Sequence, residues 1–163
     1  MLTLVPPNFV TPSEIADFRA EFAQKKEKIH GSEGLYKQDA KQWLKTRPWL
    51  KYPGNFVFFS YDTMEDLVVG IIRCTTTMSA CYVLNGAYNI GYSIRPSMRG
   101  QGFGKAQLEL GLEFLMSFGD EESALISARI DNIASKKIIL SCGGEELRHE
   151  GDSLIYKFTF DRD

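Results

Sequence analysis

The amino-acid sequence predicts an α/β (α+β) fold: a mixed, mainly antiparallel central sheet flanked by helices, in a single domain over residues 1–163. Three observations carry this. Runs rich in β-formers at residues 55–61, 67–77 and 90–94 follow one another, the first two across a short polar turn and the third after a turn at Asn85-Gly86, which makes an antiparallel block rather than a strand–helix alternation. A broadly apolar helical pattern at 102–118 comes straight after a glycine-rich loop and needs a sheet to lie on. A further strand, 124–130, then runs into another helix, 133–141. A length of 163 residues suits one domain with a full core.

Taken in order, residues 2–5 form a short strand closed by Pro6-Pro7. Thr11-Pro12-Ser13-Glu14 opens a helix, with Thr11 or Ser13 as cap. Ile15, Phe18, Phe22 and Ile29 fall at helical spacing, and Lys25, Lys26 and Lys28 read as its solvated last part. Gly31 and Gly34 break the chain, and a second helix covers 38–46 with Trp43 and Leu44 facing inward. Residues 55–61 and 67–77 pair as a hairpin across the polar turn 62–66. Residues 78–84 fit either period, and Asn85-Gly86 marks a turn. The helix at 102–118 ends at Gly119-Asp120, the strand at 124–130 is apolar enough to be buried, and Asp131-Asn132 caps the helix that Gly143-Gly144 closes. Strands at about 145–149 and 154–160 enclose the turn Glu150-Gly151-Asp152.

Composition narrows the function classes. A net charge of -2 gives no basic footprint for nucleic acid. No apolar run approaches the roughly 20 residues of a membrane span. The first residues lack the basic and apolar regions of a signal peptide. Cys74, Cys81 and Cys142 are odd in number and scattered, as expected of reduced thiols in a cytoplasmic protein, and His30 and His149 stand apart, so no metal site is expected.

The chemistry concentrates at 89–105, Asn-Ile-Gly-Tyr-Ser-Ile-Arg-Pro-Ser-Met-Arg-Gly-Gln-Gly-Phe-Gly-Lys. A glycine loop feeding a helix N-terminus offers unpaired N–H groups at the positive end of the helix dipole, which suits a phosphate. Gly100, Gly102 and Gly104 keep side chains out of the way of a bulky anion, with Arg99 and Lys105 adding charge. A Walker loop fails here, because Ala106 follows Lys105 and Arg99 stands where the first glycine belongs. A dinucleotide fingerprint fails at Lys105.

Arg99-x-x-Gly102-x-Gly104 instead resembles the acyl-coenzyme A pyrophosphate loop of the GNAT superfamily of N-acetyltransferases. Asp131-Asn132-Ile133-Ala134-Ser135, followed by an apolar helix and Gly143, resembles that superfamily's strand–Asn–helix unit. The run Ile-Gly-Tyr-Ser-Ile-Arg-Pro-Ser is similar to that of uncharacterised predicted bacterial acetyltransferases.

The resemblance implies acetyl-coenzyme A as cosubstrate. Backbone amides of Gly100, Gln101, Gly102, Phe103, Gly104 and Lys105 would hold its pyrophosphate, with Arg99 at the loop entrance. The backbone at Ile94 would pair with the pantetheine arm, and an N–H nearby would stabilise the oxyanion. Asn132 and Ser135 would hydrogen-bond the coenzyme, or simply cap their helix. The implied reaction is direct attack by a primary amine in a ternary complex. The tyrosine that many members use as acid is replaced by Ile139, which leaves Tyr92 as the first candidate, with Tyr88, Asn89, Ser141 and Cys142 behind it. The same departure motivates a second reading, a non-enzymatic acyl-coenzyme A binding module; a third is a nucleotide-binding protein. The acceptor, a small-molecule or peptide amine, would meet residues 33–52 and 76–88, which carry Trp43, Trp49, Tyr52 and Tyr82. A homodimer is also expected.

Overall fold

The computed structural model describes residues 1–84, 86, 88–118 and 121–161. Seven strands, β1 (Leu2–Val5), β2 (Asn55–Asp62), β3 (Leu67–Thr75), β4 (Ile90–Ile94), β5 (Ser123–Arg129), β6 (Glu145–Glu150) and β7 (Ser153–Thr159), form one sheet in the order β1-β2-β3-β4-β5-β7-β6. Every neighbouring pair is antiparallel except β4 and β5, which run parallel and meet only at Ile90 and Ile126. Beyond that pair the two strands part, and the split is where the sheet opens.

Helices α1 (Pro12–Gln24) and α2 (Ala40–Thr46) cover one face, and α4 (Phe103–Phe118) and α5 (Ile133–Ser141) the other; α3 (Ala80–Leu84) is one short turn beside β3. Strand alternation builds the two cores: Ile71 packs with Phe18, Phe22, Trp43 and Phe59, while its neighbour Ile72 packs with Leu108, Leu115, Ile126 and Ile139. Fully burying side chains of this size stabilises the fold by about 1.5–3 kcal/mol each.

The ends of the elements follow local chemistry. Thr11 closes a capping box with Glu14 at the start of α1. The helix stops at Gln24, before the expected lysine turn: Lys26 takes a left-handed φ of 56°, and the Glu27 N–H returns to the Phe22 carbonyl at 3.0 Å. Ile29 is still buried, but it reaches the core from a loop. Asp39 caps α2, which therefore begins at Ala40 rather than residue 38. Leu44 is only partly buried, unlike Trp43. β3 ends at Thr75 because the Thr76 N–H turns away to the Gly54 carbonyl at 2.9 Å. β5 ends at Arg129 and alternates buried with half-exposed residues, rather than being buried along its length. Asn132 caps α5, its Oδ1 accepting from the Ser135 N–H at 3.1 Å. Asn85 and the expected stop at Gly119-Asp120 lie outside the described residues; Gly86 does adopt a turn, with φ of 80°. No helix among the described residues is long and apolar enough to cross a membrane.

Candidate active site

The split between β4 and β5 opens into a cleft of about 700 Å3. Its walls come from β4 (Tyr92, Ser93, Ile94), the loop and first turn of α4 (Arg99, Gly100, Gly102, Gly104, Lys105), the start of α5 (Asn132, Ala134, Ser135, Ile138), and the segment after α1 (Glu27, Lys28, His30). A second cavity of about 410 Å3 adjoins it. His30, Tyr92, Asn132 and Ser135 line both.

The edge of β4 is what makes the cleft polar. Backbone bonds to β3 use the Asn89 carbonyl (from Thr75 N–H, 2.8 Å) and the Arg95 N–H (to the Val69 carbonyl, 2.8 Å). In an antiparallel ladder such bonding alternates, so the N–H and C=O groups of Tyr92 and Ile94 point into the split. The Ile94 carbonyl accepts from Arg99 Nε at 3.1 Å.

The three loop glycines do different work. Gly100 and Gly102 take φ of 79° and 86°, a left-handed conformation that other residues reach at a cost of roughly 1–2 kcal/mol. Nothing stands within 4 Å of where their Cβ atoms would be, so the loop is open in front of them. Gly104 already belongs to α4, and its missing side chain admits Ile138 of α5, whose Cδ1 would lie 2.7 Å from an added Cβ. The room expected for an anion at Gly104 is therefore taken by helix packing. Gln101 on the loop and Phe103 at the start of α4 are outside the cleft lining.

Arg99 braces more than it offers charge. Its Nη1 donates to both oxygens of Glu27 at 2.9 and 3.1 Å, and its guanidinium lies 5.7 Å from the Phe22 ring centre. Lys105 is half exposed, 4.0 Å from Glu109. Behind the loop, the buried Arg95 donates to the Val68 carbonyl (3.0 Å) and to Asp17 (2.7 Å), with Glu21 2.9 Å away, which ties the end of β4 to α1.

Tyr92 reaches across the split: its hydroxyl and the Ser135 hydroxyl share a hydrogen bond of 3.1 Å. Burial raises the phenol's pKa above its usual value and outweighs the lowering by Ser135, so the group is protonated at neutral pH. Ile139 is fully buried among Leu108, Ile126 and Phe158, while its neighbour Ile138 lines the cleft. Of the other candidates, Tyr88 bonds Glu150 at 2.8 Å, Asn89 ties β3 to β5 through Thr75 and Leu125, and Ser141 bonds its own helix at Ile138. Cys142 points its thiol at the Lys105 carbonyl, 3.8 Å away.

Two residues that sequence reasoning passed over stand at the junction. The segment at 30–31 packs directly on β4, with Ser93 Oγ donating to the His30 carbonyl at 2.9 Å and Gly31, at φ of 76°, seated on the Gly91 carbonyl. His30, an exposed residue, thereby lines both cavities. Loss of surrounding water, then the Lys28 and Arg73 charges, lowers the His30 pKa below 6.5, so the ring is neutral at pH 7. No sequence spacing announces this. Arg73 lines the second cavity, and it was legible as a lone charge in an otherwise apolar strand.

A family model described as an acetyltransferase (GNAT) domain matches residues 2–145. Solved structures share the fold at low identity. A Vibrio cholerae protein provisionally assigned as a ribosomal-protein-serine acetyltransferase is 18% identical, with a TM-score of 0.69 over 97% of this chain and 93% of that one. An N-acetyltransferase from Campylobacter jejuni, solved with acetyl coenzyme A, is 11% identical, with a TM-score of 0.67 over 99% and 100%. A dodecameric spermidine N-acetyltransferase from Vibrio cholerae is 12% identical, with a TM-score of 0.66 over 97% and 93%. No curated protein matches the chain.

Proposed function

From the premise that this chain belongs to the GNAT acetyltransferase family, enzymes that use acetyl-coenzyme A, we propose that residues 1–163 form one catalytic domain moving an acetyl group to a primary amine by direct attack in a ternary complex. One observation carries the reading: the β4–β5 split opens between a left-handed glycine loop at the N-terminus of α4 and a second cavity reached past Tyr92. Bound as cosubstrate, acetyl-coenzyme A supplies the acetyl group as a thioester.

In this reading the N–H groups of Gly100 to Lys105 hold the pyrophosphate, and the inward N–H of Tyr92 steadies the oxyanion, the Ile94 N–H being taken by the pantetheine arm. Because Arg99 already occupies the Ile94 carbonyl, strand-like pairing to the pantetheine arm relies on the Ile94 N–H. Neutral His30 takes a proton from the incoming ammonium, and the freed amine forms the new C–N bond. The C–S bond then breaks. Tyr92 gives its phenolic proton to the departing sulfur and regains one from the nitrogen. Ser135 orients Tyr92 throughout.

The test is isothermal titration with acetyl-coenzyme A, with ATP and NAD as controls, followed by a thiol-release screen of amines. Binding of the coenzyme alone, with amine-dependent release, is expected. Binding without release from any amine would favour the non-enzymatic module that the buried Ile139 keeps in view. Preference for ATP or NAD would end the reading. We also carry forward a cytoplasmic homodimer; β6, exposed along its length at the sheet edge, is the surface that supports it, and sedimentation of a monomer alone would refute it.

A further inference from the structure

The second cavity is unlike the first in charge. Arg73 and Arg129 both line it, and no carboxylate among the described residues does. Arg129 is answered outside the cavity by Asp131 at 3.2 Å. Arg73 is not answered in the same way. Its side chain is 14% exposed, its Nε is buried without a hydrogen-bond acceptor among the described residues, and Glu33 stands 3.9 Å from Nη1, an ion pair beyond hydrogen-bond range. A buried donor left unmade is costly, and a guanidinium is a planar fork suited to a carboxylate.

The placement of Arg73 bears on the acceptor. Arg73 pairs with Gly91 across the β3–β4 ladder, and its guanidinium lies over the Gly91 backbone, where an added Cβ would stand 3.1 Å from Nη2 and 3.3 Å from Cζ. Gly91 precedes Tyr92, and strands rise about 3.3 Å per residue. An oxygen ligand on Arg73 therefore sits only a few bond lengths from the part of β4 that faces the split. Glu33 limits the net charge on offer, which favours a singly charged carboxylate over a phosphate dianion.

We propose that Arg73 binds a carboxylate carried by the acceptor, so that the acceptor is an amino acid or similarly compact amine with a carboxylate a few bonds from its nitrogen. The inference rests on the acetyl-transfer reading above and adds the acceptor's class to it. It sets this chain apart from a polyamine acetyltransferase, since a polycation gains nothing from a cavity lined by two arginines.

The test is thiol release at saturating acetyl-coenzyme A with the free amino acids, β-alanine and γ-aminobutyrate, each beside its amide, and with spermidine and putrescine. The expected result is a kcat/KM about tenfold or more higher for at least one carboxylate than for its amide, a step of about 1.4 kcal/mol. Arg73→Gln should erase that ratio through KM while acetyl-coenzyme A affinity, read by calorimetry, stays as in the parent and so reports an intact fold. Gly91→Ala, which displaces the guanidinium without removing it, should weaken the same ratio. Amides or polyamines turned over as well as carboxylates would overturn the proposal, and so would equal losses for both in Arg73→Gln. Should no amine release thiol, the acetyl-transfer reading fails separately, and the same compounds are titrated by NMR into the coenzyme-loaded protein. Carboxylate binding that Arg73→Gln abolishes would then uphold the site; absence of such binding would sink it.

Discussion

Replacing Tyr92 with Phe removes one oxygen and little else, which makes it the sharpest probe of the chemistry. In the folded protein that oxygen shares a hydrogen bond with Ser135 at 3.1 Å, and burial keeps it protonated. Losing the bond should cost about 0.5–1.5 kcal/mol of stability, a modest shift in a urea midpoint, because Ser135 lies at a cleft edge where water can replace the phenol. Losing a general acid should cost far more in rate, about 10²–10⁴-fold in kcat, equivalent to about 2.7–5.4 kcal/mol of barrier. The two effects separate cleanly. Thiol release at saturating acetyl-coenzyme A and acceptor gives kcat, and calorimetry gives coenzyme affinity, which should change less than tenfold. The pH profile adds a second reading. A proton donor with a raised pKa works until pH exceeds that pKa, so the parent should hold its rate to above pH 10, and the decline there should be absent from Tyr92→Phe. A variant that keeps kcat within about threefold of the parent would refute the assignment and leave Tyr92 as an aromatic packed beside the cleft.

Three further outcomes follow from the same geometry. His30→Gln should lower kcat by about 10²-fold or more. Because protonation silences the base, the parent should lose kcat as pH falls through a value below 6.5, and His30→Gln should not; an unchanged acid limb would exclude the ring. In Gly102→Ala the open loop should relax out of its φ of 86° when free, so that acetyl-coenzyme A binding bears the roughly 1–2 kcal/mol of left-handed strain and weakens about five- to thirtyfold with little loss of fold stability; unchanged affinity by calorimetry would sink the loop assignment. Arg95→Ala should destabilise by about 2–4 kcal/mol in urea, through a cavity beside Phe18 and an unsatisfied Val68 carbonyl, and Arg95→Met should recover part of that by refilling the space.

What was legible in the sequence is what local chemistry decides. Thr11 with Glu14 and Asn132 with Ser135 act within a few residues, and each cap appears in the structure where the local pattern put it. The glycine loop was legible as a loop, but not the separate purposes of its glycines. Gly104 is set by Ile138, thirty-four residues on, and no spacing within the motif carries that contact. Gln107 shows the same limit. It sits on an apolar helix face and is fully buried, because its amide joins Ser60 of β2, the Ile71 carbonyl of β3 and the Ser93 carbonyl of β4. A periodic reading sees only a polar residue out of place. His30 was hidden for a related reason: its position depends on Gly31 meeting Gly91, two small residues sixty apart.

The arrangement at β4 explains why one short strand can serve both halves of the proposed reaction. Its odd residues bond β3 and put Gly91 and Ser93 on the face of Arg73 and the His30 segment. Its even residues turn their backbone into the split and put Tyr92 on the face of α5 and Ser135. A shift of one residue in the β3–β4 register would exchange the two sets, pairing Arg73 with a side chain in place of the glycine that lets its guanidinium lie flat. The buried Gln107 works against such a slip, because its bonds to β3 and β4 are satisfied together in one register only. A polar side chain in the core thus does for the site what the apolar core cannot, since apolar packing tolerates small shifts that a hydrogen-bond network does not. By this reasoning Gln107→Leu should be felt at the cleft as well as in stability, with KM for the acceptor rising more than acetyl-coenzyme A affinity falls. Equal effects on both ligands would mean that Gln107 holds up the core and has no part in setting the register of the site.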